Sequence, residues 1–372
     1  MVNMKQKKFY VKRSFKNLIN AMRAESFRYF SFPMILPSSV LLATTYMCNS
    51  RCRICNIWKR YHDNHTNIKN ELTLDEFTTF VEKNNFLTKI AITGGEPFLR
   101  KDLYDIVLFL DKKGYNTDIL TNGIFLNKIK RDETKILQNL SGGIPHSFSV
   151  SFDGLGPTHD HLRGMHGLFN RAVILLKWAM KQKKKYDFLS VSVSHTITES
   201  NYKELNSFVD YFVKFGLRPE QISFRIAQQS FYFNNMKRGE TLNDIYGLVK
   251  QLQKLQEKYE FFKKDFFHKK MIQFLFHPRK LIIPCAATFS FCYIDPYWNV
   301  YPCIQWEEKL GNLKEFDLNL KSFWRSKTMK KTRELIKNGN CPNCWTQCSA
   351  IPSMNANIPA LLQRHWNSIK YI

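Results

Sequence analysis

The sequence lacks a long uninterrupted apolar run and has few acidic residues. The most apolar stretches, such as Phe32 to Cys48, are short or carry proline and fall below the roughly 20 residues that span a bilayer. Residues 1–30 contain no apolar core of the kind found in secretory signals. The sequence therefore predicts a cytoplasmic protein. In a reducing cytosol, clustered cysteines are expected to be metal ligands or redox groups rather than disulfides.

Positive charge far exceeds negative charge. The 372 residues include 56 Lys and Arg against 31 Asp and Glu, a net charge of +25. Such an excess is compatible with nucleic acid, anionic lipid, an acidic substrate or an acidic redox partner, and equally with solvated surface. Within residues 1–38, basic residues alternate with apolar ones such as Phe15 and Phe27. This pattern resembles an amphipathic helix on an anionic membrane, or a helix packed on the main domain.

Strand-like and helical segments alternate from residue 39 onward. The alternation predicts a parallel sheet with right-handed crossovers. About six repeats favour an α/β fold with a partial (β/α)6 TIM-like barrel, whose functional residues lie at the C-terminal ends of the strands. The predicted strands are Ser39–Tyr46, Lys89–Thr93, Thr117–Leu120, His146–Ser151, Leu189–Ile197 and Gln221–Ala227.

Composition divides the chain into four parts. Residues 1–38 form the basic N-terminal segment, and residues 39–230 form the predicted barrel. Residues 231–280 are lysine-rich and are predicted to be a helical connector. Residues 281–372 hold six of the nine cysteines and lose the strand–helix rhythm. We predict a small α+β domain there.

Three cysteines follow the first predicted strand directly. Cys48, Cys52 and Cys55 lie within eight residues, so they can hold one face of a four-iron cluster, which proteins bind through Cys thiolates. Structural zinc sites usually need a fourth ligand. Three ligands for four irons leave one iron open for chemistry.

This spacing, in this place, resembles the radical SAM superfamily. Three later motifs at successive strand ends extend the resemblance: TGGEPFLR, TNG and SFDGLGPTHDHLRG. The resemblance implies a 4Fe-4S cluster on the three cysteines and S-adenosylmethionine bound beside it. The residues implied in cofactor binding are Gly94, Gly95, Glu96, Pro97, Asn122, Ser151, Asp153 and Arg163. The chain departs from the family at Ile54, where an aromatic residue is common, and the roles of His195, Asn201 and Arg225 stay open.

The resemblance also implies an activity. In the family, one-electron reduction cleaves S-adenosylmethionine to a 5′-deoxyadenosyl radical, which abstracts hydrogen from the substrate. An electron donor such as flavodoxin or ferredoxin is then expected, and the +25 charge no longer argues for nucleic acid.

The second set of cysteines resembles the SPASM or shorter twitch extension of these enzymes, which binds auxiliary iron–sulfur clusters. The resemblance implies one auxiliary 4Fe-4S cluster on Cys285, Cys303, Cys341 and Cys344, with Cys348 as a substitute or extra ligand. Cys292 has no counterpart and is expected to be a small buried apolar residue. Trp298 stands where the family usually has Gly. A zinc ribbon is the competing interpretation of these cysteines.

The substrate is less clearly indicated than the chemistry. The extension and the HDxxRG sequence favour a peptide-modifying enzyme. The alternative is a small-molecule, sugar or lipid biosynthetic enzyme peripheral to an anionic membrane, which the basic N-terminal segment favours. A non-catalytic iron–sulfur or zinc protein is a third class. No residue is assigned to the substrate; the candidates considered are Asp160, His195, Tyr232 and Cys292.

Overall fold

The computed structural model of the chain describes residues 18–30, 32, 34–61, 65–236, 240–278 and 281–362. Within these residues the strands are β1 (Ser39–Thr45), β2 (Lys89–Gly94), β3 (Thr117–Thr121), β4 (His146–Ser151), β5 (Leu189–Ile197), β6 (Ile222–Ile226), β7 (Phe291–Ile294), β8 (Asn299–Tyr301) and β9 (Gly311–Asn312).

The helices fill the connections between the strands. They are α1 (residues 18–30), α2 (Leu74–Lys83), α3 (Leu103–Lys112), α4 (Leu126–Asn139), α5 (Pro157–Arg163), α6 (Leu168–Lys185), α7 (Leu205–Lys214), α8 (Ile245–Lys258), α9 (Glu260–Lys264), α10 (Phe266–Phe276), α11 (Leu320–Trp324), α12 (Lys327–Lys337) and α13 (Gln347–Asn355). Short 3-10 helices cover Ile57–Tyr61, His65–Asn70, Pro97–Leu99, Tyr202–Glu204, Pro219–Gln221 and Leu313–Phe316.

The first six strands follow one another in chain order. β3, β4, β5 and β6 form one parallel sheet, β1 pairs with β2 in a second sheet, and β2 lies against β3. The helices between them cover the outer face, because their buried stripes are apolar at helical spacing, as at Phe77, Phe80 and Val81 of α2. The predicted α/β partial barrel is confirmed.

The C-terminal region is joined to the barrel through its own strands. β7 pairs in parallel with β1, with Val40 opposite Cys292, and β8 and β9 continue the sheet in antiparallel fashion. Trp298 in the β7–β8 turn has φ +66°, the left-handed conformation for which glycine is favoured, at a cost of about 1–2 kcal/mol. Its indole is fully buried against Phe80, and Nε1 donates to Glu76 Oε2 at 3.1 Å. The β7–β8 turn thus has the left-handed backbone conformation that favours glycine, with Trp298 at that position.

Burial bears on two of the smaller predictions. Cys292 is fully buried among apolar side chains around β1 and β7, as expected of a structural cysteine. In α1, Ala24 and Phe27 pack against Ala286 and Phe289, so the described part of the N-terminal segment packs on the protein. Residues 1–17 lie outside the described residues. Among the described helices, none is both long and apolar enough to cross a bilayer. The four-part division of the chain remains a prediction.

Candidate functional site

The first cysteine loop leaves the C-terminal end of β1. Cys52 is buried and Cys48 and Cys55 are half-buried. Burial raises the pKa of the Cys48 thiol to about 12 and also raises that of Cys55. Thiols in such surroundings ionise only when a cation or a metal compensates the charge.

Two glycines bring the end of β2 against this loop. A side chain on Gly94 would place its Cβ 2.1 Å from the Thr45 carbonyl oxygen, and one on Gly95 would lie 2.0 Å from that of Met47. Gly95 N donates to Thr45 O at 2.8 Å, and Glu96 N donates to Met47 O at 2.7 Å. Only glycine permits this approach, so the motif fixes the backbone that leads into the cysteines.

Glu96 joins three strand ends. Its side chain is buried; Oε1 accepts from Thr121 Oγ1 at 2.9 Å and Oε2 accepts from Asn122 N at 2.8 Å. Burial raises the pKa of Glu96 to about 7, although these donors oppose the shift. Asn122 Nδ2 in turn donates to Asn49 Oδ1 of the cysteine loop at 2.8 Å. Pro97 opens the short helix that follows.

An ion pair holds the other side of the loop. Arg163 Nε lies 2.6 Å from Asp153 Oδ2, and its Nη1 lies 3.8 Å from Cys52 Sγ. Asp153 is fully buried; burial works to raise its pKa, but the Arg163 guanidinium and the neighbouring histidines hold it below the usual value. Gly164 packs on the Arg51 carbonyl so closely that a Cβ would lie 2.5 Å away.

The residues whose roles the sequence leaves open lie around this ion pair. Asn201 Nδ2 donates to Asp153 O at 2.9 Å, and His195 Nδ1 lies 2.9 Å from Phe152 O. Burial lowers the pKa of His195, and the nearby Asp153 carboxylate opposes this shift. Ser151, at the end of β4, is buried opposite Ser194, whose hydroxyl accepts from Arg225 Nη2 at 2.6 Å.

Tyr232, considered from the sequence only as a candidate substrate residue, contacts the Gly94 turn instead. The Tyr232 hydroxyl lies 2.8 Å from Thr93 Oγ1 and 3.0 Å from Gly94 O. Tyr232 stands in an irregular stretch after β6 with no motif around it, so spacing does not predict this contact.

Four cysteines of the second set line one cavity. Cys285 precedes β7, Cys303 follows β8, and Cys341 and Cys344 lie between α12 and α13. Burial raises the pKa of the Cys285 thiol to about 12, with a further contribution from Cys344. Among the described residues, neither this set nor the first one forms a recognised site for a single metal ion. Cysteine thiolates are the ligands that hold four-iron clusters.

Cys348 is not one of the four thiols that line this cavity, although Cys344 and Cys348 both contact Thr346 Oγ1. It lies on α13 and does not line the cavity. Instead it packs against the aromatic cluster of Tyr46, Tyr232 and Tyr293, against which Cys48 also packs. Its Sγ donates to Thr346 Oγ1 at 3.2 Å.

The fold and the two cysteine sites define an iron–sulfur enzyme on a partial α/β barrel. Residues 42–212 match the radical SAM superfamily model, and residues 285–349 match SPASM, an iron–sulfur cluster-binding domain. The chain belongs to the radical SAM superfamily and carries a SPASM domain. Its cofactors are therefore S-adenosylmethionine and iron–sulfur clusters.

Relatives of known name cover part of the chain. The sporulation killing factor maturation protein SkfB of Bacillus subtilis is 29% identical over 48% of this chain and 40% of its own length. An AdoMet-dependent heme synthase of Methanosarcina barkeri is 26% identical over 51% of each. The chain thus spans about half or less of the length of these relatives.

Solved structures share the fold over most of the chain. Native anSMEcpe with bound AdoMet and a peptide has a TM-score of 0.60 at 16% identity, covering 90% of this chain and 96% of that one. Streptococcus suis SuiB bound to S-adenosylmethionine has a TM-score of 0.59 at 15% identity, covering 81% and 68%.

Proposed function

We propose that this chain cleaves S-adenosylmethionine reductively and uses the resulting radical to modify a peptide. The observation that carries the proposal is the loop of Cys48, Cys52 and Cys55 at the strand ends, pressed against the Gly94–Gly95 turn. When bound, a four-iron cluster supplies the electron that breaks the sulfonium bond, yielding methionine and a 5′-deoxyadenosyl radical.

The protein residues hold and shape this site. Gly94, Gly95, Pro97, Asn122 and Ser151 remain proposed contacts of S-adenosylmethionine. For the charged members, Glu96, Asp153 and Arg163, burial and existing partners support a second role, because their bonds fix the strand ends around the cysteine loop. Arg163 also places a positive charge beside Cys52, with Nη1 3.8 Å from Sγ.

A peptide is the substrate class we propose. The support is the resemblance to SkfB, named as a maturation protein, together with the SPASM domain. The test is anaerobic turnover with short peptides encoded beside the gene. We expect one of them to change in mass and to increase 5′-deoxyadenosine formation. If no such peptide does either, the peptide assignment is wrong.

The alternative is a small-molecule enzyme at a membrane. The heme synthase resemblance supports a small substrate. Tyr29, Phe30 and Phe32 are 62%, 78% and 76% exposed and follow the basic N-terminal residues in sequence, a combination that suits an anionic bilayer surface. Sedimentation with anionic vesicles tests this alternative. Unchanged partition after deletion of residues 1–38 would remove it.

An acidic electron carrier is the redox partner we propose. A cleft beside the first site is lined by Cys52 and by the exposed cations Arg51, Arg53 and Lys59. Charge complementarity accelerates such encounters and fades with salt. Reversal of Arg51 and Arg53 to Glu should slow reduction by flavodoxin and remove its salt dependence. An unchanged rate would contradict this docking site.

A further inference from the structure

A short turn after β6 touches both cysteine sites. We name residues 230–235 the strap. Its two ends are joined, because Ser230 N donates to Asn235 Oδ1 at 2.8 Å and Tyr232 N donates to Ser230 Oγ at 3.1 Å. Ser230 and Asn235 are both buried. The strap is therefore a closed, internally bonded unit rather than a loose connection.

One side of the strap holds the first cysteine loop. Asn56 N donates to Phe233 O at 2.8 Å, and Asn235 Nδ2 donates to Ile54 O at 2.9 Å. These two contacts flank Cys55 on both sides. The backbone position of that cysteine thus depends on the strap.

Tyr232 extends from the strap to the glycine turn. Its hydroxyl donates to Gly94 O at 3.0 Å, accepts from Gly94 N at 3.1 Å and lies 2.8 Å from Thr93 Oγ1. The ring is 4% exposed and packs on Tyr293 with centroids 5.4 Å apart. A single phenol therefore satisfies both backbone groups of Gly94 in the proposed S-adenosylmethionine turn.

The other end of the strap reaches the second site. The Ser230 hydroxyl donates to the Ile304 carbonyl, and Ile304 follows Cys303 directly. Both groups are buried, where an unmade hydrogen bond is costly. A displacement of Cys303 therefore also moves the Ile304 carbonyl, which Ser230 of the strap contacts.

We propose that the strap couples the two cysteine sites, with Tyr232 as the positioning residue that transmits the state of the second site to the Gly94 turn. The inference rests on the proposed function, since it concerns how S-adenosylmethionine is bound. Loading the second site fixes Cys303, the Ile304 carbonyl and hence the strap. Coupling of binding equilibria is reciprocal, so S-adenosylmethionine also stabilises the loaded second site.

The first test measures S-adenosylmethionine binding to anaerobically loaded protein. Tyr232→Phe should weaken the Kd about tenfold, as for the loss of one buried hydrogen-bonding group, with unchanged iron content. Tyr301→Phe is the matched control: its ring packs on Phe231 at 4.8 Å, but its hydroxyl reaches only Asp295 Oδ2 at 3.5 Å. Equal Kd values for Tyr232→Phe and wild type would overturn the positioning role.

The second test is a cycle of variants. Emptying the second site with Cys303→Ala should weaken the Kd about tenfold in the wild-type background and about twofold or less with Ser230→Ala, since typical couplings amount to roughly 5–150-fold. Should Cys303→Ala misfold, Cys341→Ala empties the same site from a distant loop.

The outcomes of this cycle separate two failures. Equal weakening in both backgrounds, or none in either, would overturn the coupling while leaving the proposed function intact. If the loaded wild type binds no S-adenosylmethionine at all, the proposed function fails and the coupling fails with it.

Discussion

The first cysteine site takes its three thiols from one loop, whereas the second gathers four thiols from three separate parts of the chain. The first is surrounded by a buried polar network that includes Glu96, Asp153 and Arg163. The second is enclosed by apolar walls from residues such as Ile283, Trp306 and Ile336.

The difference fits two separate roles. Three ligands leave a position for a reacting molecule, while four ligands close a site, as in catalytic and structural zinc centres. A polar network at strand ends suits the binding of a charged cofactor. Apolar walls instead shield a cluster from solvent. We therefore propose that the same ligand type serves chemistry at the first site and shielding at the second, according to its number and surroundings.

The largest expected effect comes from the first site. Cys52→Ala should abolish 5′-deoxyadenosine formation and lower iron from about eight to about four per chain, since each four-iron cluster is held by cysteines. Anaerobic assay and iron analysis measure both. Cleavage retained by this variant would refute the ligand assignment.

Substitution of a ligand in the second site should remove the cluster there and leave the cluster of the first site in place. Cys344→Ala removes one of four ligands around the cavity, so iron should fall by about four per chain, to the level of one cluster. Cys348→Ala is the matched comparison and should keep both clusters, because Cys348 does not line the cavity. Loss of iron in Cys348→Ala alone would reverse the assignment.

Breaking the ion pair beside Cys52 should cause a large loss in the free energy of unfolding. Asp153→Asn leaves the Arg163 charge buried without its partner, which costs about 3–5 kcal/mol. Denaturant unfolding of loaded protein under anaerobic conditions measures this loss. Asp105→Asn, at an exposed position of α3, is the control and should change stability little. Comparable losses of stability in both variants would show that the Asp153–Arg163 ion pair makes no particular contribution to stability.

The titration of Glu96 should make the stability of the protein depend on pH. The pKa of Glu96 in the folded protein, about 7, lies above the ordinary carboxyl value of 4.5. Its contribution to the free energy of unfolding is therefore complete below pH 4.5 and is lost as pH rises through 7. Relative to Glu96→Gln, the wild type should lose at most about 3 kcal/mol over this range. The thermal unfolding of both, compared from pH 5 to 8, measures the difference. A constant difference would mean that Glu96 does not titrate there.

The smallest effect is expected at Cys292. Cys292→Ala leaves a small cavity in the core, which costs about 1 kcal/mol, and both clusters should remain. Iron content together with unfolding measures this pair of results. A loss of iron would make Cys292 a ligand and change the count of the second site.

Much of the fold follows from the sequence because the strand–helix rhythm and the motifs are local. The cysteine loop, the Gly94–Gly95 turn and Asn122 each stand at a strand end, and parallel strands bring such ends together. The α/β barrel and the SPASM region are predictable for this reason.

Other features depend on contacts that spacing does not encode. Arg28 Nη2 donates to Cys285 O at 2.5 Å across 257 residues, and Tyr232 reaches Gly94 across 138. Cys348 follows Cys344 closely in sequence and lies on α13, which lines the cavity through Ser349 and Ala350 but not through Cys348. The bonds from Glu96 to Thr121 and Asn122 likewise emerge only when the strand ends are packed together.

The most direct test of two distinct cluster sites is the iron, sulfide and zinc content of anaerobically reconstituted protein. We expect about eight irons and about eight sulfides per chain, which corresponds to two four-iron clusters. About four irons with one zinc would contradict the account, because the second site would then be a zinc site.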